Sequence, residues 1–169
     1  TGVDSQTIVY VDFEGTYDAP GWLEDDIDGN IIPPFDVGVF NENWDTEVAK
    51  ELIIGKIREQ FSIDITIWSS VETSEPPQIP HADLYIGNVF NEEYFGLAKH
   101  TDIWNFRVED EEGIVFVLTL DVAGIGGTLD EVTNALANIA SHEIGHLVGL
   151  SHVKGNPGDI MDITGSGND

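Results

Sequence analysis

Five histidines occur in this 169-residue chain, and three of them fall inside one stretch of twelve residues, "SHEIGHLVGLSH", at positions 141–152. His142 and His146 are four apart, which on a helix places them one turn apart on nearly the same face. Two imidazole nitrogens can then aim at one point, and imidazole suits Zn²⁺, which takes about four ligands at roughly 2 Å. Glu143 lies about 100° further round such a helix, near the metal without being forced to bind it. Gly149 allows a sharp exit, because only glycine adopts positive φ cheaply, and the turn returns His152 as a third ligand. Three protein ligands leave one position for water, the arrangement of a catalytic rather than a structural zinc.

The expected chemistry is hydrolysis through a zinc-bound water. Zinc lowers the pKa of that water from about 16 towards about 7 and polarises a carbonyl. Glu143 is the general base: it takes the water's proton and can later deliver it to a leaving amine. The histidines bind as neutral imidazoles, so the site should fail as falling pH protonates them. A helical histidine pair is commonly a surface feature, but here the longer pattern H-E-x-x-H-x-x-G-x-x-H fixes five positions.

These residues need a helix to carry them. Thr128 and Glu131 form a T-x-x-E capping box after "GIGG", and Val132, Ala135, Leu136, Ile139, Ala140, Ile144 and Leu147 repeat at three and four residues. The histidine stretch is therefore the end of a buried helix and its exit, with Gly149 in the left-handed position. Upstream, "TIVYVDF" (7–13), "IDITIW" (63–68), "ADLYIG" (82–87), "FGLAKH" (95–100) and "GIVFVLTLD" (113–121) read as strands. Residues 45–61 read as a helix whose Val48, Ala49, Leu52, Ile53 and Ile57 pack on the sheet. Residues 14–36, rich in Gly, Pro and Asp, and the proline-broken 69–80 read as loops, and "EDEE" (109–112) as a solvated turn. The order predicts one α/β (α+β) domain over residues 1–169: a mixed twisted sheet of about five strands, a backing helix and an active-site helix.

The motif and this order resemble the metzincin zinc endopeptidases, whose signature adds a downstream methionine turn. Met161, the single methionine, stands nine residues after His152 and fits that place; the resemblance makes it an apolar floor beneath the metal. In that family an extended peptide pairs with the strand that rims the cleft. The resemblance puts "FGLAKH" there, with Gly96, Leu97 and Ala98 binding substrate backbone. Val153 follows the third histidine, where astacins have Glu, serralysins Pro, adamalysins Asp and matrixins usually Ser, and no tyrosine follows Met161. The nearest resemblance is to a small bacterial matrixin-type catalytic domain. The chain stops eight residues after Met161, so the family's C-terminal helix is expected to be absent or truncated, and any pro-segment of an exported protein to have been removed already.

Charge and composition bound the rest. Thirty-two acidic residues face six Lys and Arg, a formal net charge of −26, which repels nucleic acid and anionic membrane surfaces. No apolar run is long enough for a membrane span, and the absence of cysteine excludes disulfides and thiolate chemistry. Ca²⁺ is a further candidate ligand of "EDDIDGN" (24–30) and "NENWD" (41–45), although Asx-rich turns explain both stretches as well. A second, structural zinc would have only His81, Asp83 and His100 outside the motif, one ligand short of the family's set, so unpaired surface histidines are expected there. The reading is a secreted, extracellular, monomeric zinc endopeptidase acting on protein or peptide segments. Two rivals are a metal-containing binding module without turnover and a zinc amidase acting on a non-protein substrate.

Overall fold

The computed structural model describes residues 7–61, 65–99, 111–154 and 159–161. Five strands form one mixed sheet: β1 (Thr7–Asp12), β2 (Ile65–Ser69), β3 (Ala82–Gly87), β4 (Gly96–Ala98) and β5 (Glu112–Phe116), in the order β2-β1-β3-β5-β4. The first four in that order are parallel, and β4 runs antiparallel to β5 at one edge. Parallel neighbours need a crossover, and helix α1 (Thr46–Gln60) supplies the one between β1 and β2. Asp45 caps α1 by accepting from the Val48 N–H at 3.1 Å.

Side-chain alternation splits the sheet into two buried faces. Val9, Val11, Leu84, Ile86 and Val115 meet α1 and helix α3 (Leu129–Leu147) in the larger core. Ile114 and Phe116 point the other way and are covered by Ala19, Leu23, Ile27 and Ile32 of the long 14–36 segment. That segment holds a 3₁₀ turn at Gly21–Leu23 and is pinned by paired backbone bonds between Thr16 and Ile32, at 2.8 and 2.9 Å. It is a loop in its hydrogen bonding and a cover in its packing.

Three sequence expectations need correction. The apolar run 113–121 leaves the sheet after Phe116 and coils into α2 (Val117–Val122), since a short apolar run does not distinguish a strand from a buried helical turn. On α1, Ile54 and Lys50 are buried, while Val48 and Leu52 face outward at 44% and 36% exposure. Burial there follows the contact with β2 and α3 rather than residue type: the Lys50 ammonium is held by Glu14 at 2.8 Å and Glu47 at 2.9 Å. Burial alone would lower the Lys50 pKa, and these two carboxylates reverse the sign and raise it. Finally, the acidic run is no solvated turn where it is described: Glu111 is 1% exposed, and Glu112 opens β5 and accepts from the Trp22 indole N–H at 2.9 Å.

Candidate metal centre

Helix α3 starts with the capping box its sequence encodes: Thr128 Oγ1 accepts from the Glu131 N–H, and the Glu131 carboxylate accepts from the Gly127 and Thr128 N–H groups. Those bonds hold the Glu131 carboxyl below its usual range. The helix ends in a Schellman motif. Gly149 takes φ +92°, its N–H donates to His146 O at 2.9 Å, and the Leu150 N–H donates to Gly145 O at 2.8 Å. The turn reverses the chain, so that His152 comes back against the two helical histidines.

The result is a compact triangle. The Nε2 atoms of His142, His146 and His152 lie 3.1, 3.2 and 3.0 Å apart. Among the described residues this is the one group of three histidine or carboxylate side chains close enough to hold a metal ion. The opposite ring nitrogens are tied to backbone: His142 Nδ1 to Ile160 O at 2.7 Å and His146 Nδ1 to Leu150 O at 3.0 Å. A carbonyl can only accept, so each Nδ1 carries the proton and each Nε2 presents a lone pair. Two lone pairs facing each other at 3.2 Å make no hydrogen bond, and their convergence calls for a cation. Corners of a triangle this size lie about 1.8 Å from its centre, so a point about 1 Å off the plane is about 2.0–2.1 Å from all three nitrogens, the Zn–N bond length. The donor set fits zinc in number, type and size.

Burial first, then the His142 ring, lowers the pKa of His146 to about 4. His152 is lowered for the same two reasons. The site thus favours neutral imidazole, the ligating form.

Glu143 lies between α3 and β4, its carboxylate against Gly96, and is 6% exposed. Desolvation lifts its carboxyl to about 8. Met161 is 2% exposed, and its sulfur and terminal methyl lie against Gly145, between the two helical histidines, where a Cβ would not fit. Its carbonyl accepts from the Val153 N–H at 3.0 Å, which ties the chain beyond His152 to the floor of the site.

The strand beside Glu143 has a readable polarity. The Phe116 N–H donates to Phe95 O, and the Lys99 N–H to Glu112 O, so residues 95, 97 and 99 bond to β5. Alternation turns the amides and carbonyls of Gly96 and Ala98 to the outer edge, which no described strand covers, whereas Leu97 is turned to β5.

The other candidate ligands do not converge. Asp45 caps α1 and Asn41 accepts from Asn43, so 41–45 serves its own turn, while in 24–30 Asn30 donates to Asp18. Acids 24–28 line a groove of about 540 Å³ with Phe90–Tyr94, away from the histidine triangle. His81 is no unpaired surface histidine: its Nε2 lies 3.3 Å from Asp83 Oδ1 and its ring sits edge-on to Tyr10. His100 lies outside the described residues.

The carbonyls of Ile160 and Leu150 and the contact of Gly145 with Met161 were not foreseen from sequence. Carbonyl acceptors carry no sequence signal. Gly145 did carry one, since glycine inside a helix costs about 1 kcal/mol against alanine and asks for a packing reason. The fold and site together define an α/β protein with a mixed five-stranded sheet and three histidines placed to hold one metal ion. No protein-family model and no curated protein sequence matches the chain.

Proposed function

We propose that the chain is a secreted zinc-dependent endopeptidase of the metzincin kind, most like a matrixin-type catalytic domain, which cleaves extended protein or peptide segments. The observation that carries this reading is the triangle of three Nε2 atoms, with a buried carboxylate on the residue after His142 and, beside it, a strand edge that no described strand covers. His142, His146 and His152 would hold the zinc, which when bound supplies Lewis acidity to water and to a substrate carbonyl.

The chain's own residues do the remainder. The outward amides and carbonyls of Gly96 and Ala98 offer a peptide backbone the bonds of an added strand, which sets the register of the scissile bond without reading its side chains. Glu143 accepts the proton of the attacking water and returns it to the leaving amine. Burial raises the Glu143 carboxyl in the metal-free chain; the charge of a bound zinc would lower it again, towards the ionised form that a general base needs. Backbone ties at Nδ1 hold two of the imidazoles in the ligating tautomer and orientation.

Metal analysis of purified protein and incubation with a peptide library, with and without chelator, test the reading. One zinc per chain and hydrolysis that chelation stops and zinc restores are the expected results. Glu143→Ala should keep the zinc and lose turnover by about 10²–10⁴-fold. Zinc without hydrolysis of any peptide would leave a binding module or an amidase in its place.

A further inference from the structure

We propose that Gly96 is the positioning residue for Glu143: the bare backbone of β4 at this point is the wall that holds the carboxylate beside the metal site. This rests on the endopeptidase reading for its catalytic meaning, and on packing alone for its structural content. A Cβ placed on Gly96 would stand 2.7 Å from Glu143 Oε1, 2.9 Å from Glu143 Cγ and 3.0 Å from Ile139 Cγ2. Real Cβ atoms essentially never approach at the first two distances. Two of the three collisions are with the one side chain, at its methylene and at its oxygen, so a residue with a Cβ at 96 would have to turn Glu143 into another rotamer.

Gly96 does not take a positive φ, unlike Gly149, so turn geometry does not require glycine here. The requirement comes from the close approach of helix and strand. Ala98, two residues on, faces the same way and packs against the helix-side core, while Leu97 packs on the opposite face. The small pair at 96 and 98 lets α3 lie against the edge strand, and Glu143 packs into that gap beside Gly96. Gly96 also turns its amide and carbonyl to the open edge where a peptide would pair. One residue therefore touches the base with its Cα and would touch substrate with its backbone, which fixes the distance between them.

A double-mutant cycle on thermal stability, with zinc content determined for every variant, tests this without requiring activity. Gly96→Ala should lower Tm by about 5 °C in the wild-type background, and by less than half of that in a Glu143→Ala background. In the active protein, Gly96→Ala should lower kcat by at least about tenfold, with KM changed less than about threefold and zinc stoichiometry unchanged. Equal Tm costs in both backgrounds, or a cost relieved by Ile139→Ala and not by Glu143→Ala, would overturn the proposal. Should Gly96→Ala fail to fold alone, folding of Gly96→Ala/Glu143→Ala supports it, and failure of both overturns it. If wild-type protein cleaves no peptide, the endopeptidase reading falls while the stability coupling still decides the packing claim.

Discussion

The side chain of Met161 lies directly against the Cα of Gly145, one residue before the second histidine of the triangle. Sulfur and terminal methyl fill the space that any larger residue at 145 would need, so Met161 and the helical turn that carries His142 and His146 are one packed unit.

Gly145→Ala should therefore strain the site although alanine favours helix. The gain in propensity is about 1 kcal/mol, and the overpacking against Met161 costs about 1–3 kcal/mol. Denaturant unfolding should show net destabilisation or no gain, and zinc competition should show weaker binding. Met161→Leu, close in volume, should cost less than about 1.5 kcal/mol. A Gly145→Ala protein that is more stable and binds zinc as tightly as wild type would contradict the packing.

Gly149→Ala attacks the same site through the backbone. At φ +92° a Cβ is strained whatever space surrounds it, and about 1–2 kcal/mol of stability should be lost. Two of the three histidines depend on this turn, because it returns His152 and supplies the Leu150 carbonyl that orients His146. Zinc affinity should fall about 10–100-fold, read by competition with a chromogenic chelator.

The metal-free protein should show two opposed pH dependences. Glu143, raised to about 8 by burial, binds a proton in the folded state that the unfolded chain has released. Its contribution is fully present below the ordinary carboxyl range and is lost as pH rises through about 8. His146, lowered to about 4, works the other way: its contribution is present above about 6.5 and is lost as pH falls through about 4. In chelated protein, the Tm advantage of Glu143→Gln over wild type should therefore grow between pH 6 and about pH 8. A difference that stays flat over that span would show that the carboxyl is solvated.

A net charge of −26 makes the folded chain repel itself at low ionic strength. The Debye length shrinks from about 10 Å at 0.1 M to about 3 Å at 1 M salt, so Tm and peptide hydrolysis should hold or rise towards molar salt. A steep fall in either would mean that exposed ion pairs such as Arg58–Glu72, at 2.7 Å, outweigh the repulsion.

Sequence by itself determined what depends on neighbours a few positions away. The capping box at Thr128 and Glu131, the left-handed Gly149, the shared face of His142 and His146 and the strand at 82–87 are set by backbone periodicity, which is local. Tertiary structure alone decided the rest, because packing brings together residues that no spacing rule relates. It coiled 117–122 away from the sheet, buried Lys50 and Glu111, paired His81 with Asp83, and drew the Ile160 carbonyl onto His142 across eighteen positions. The contact of Gly96 with Glu143 belongs to this second group. A glycine in an edge strand looks ordinary in sequence, and only the closeness of helix to strand reveals which side chain it makes room for.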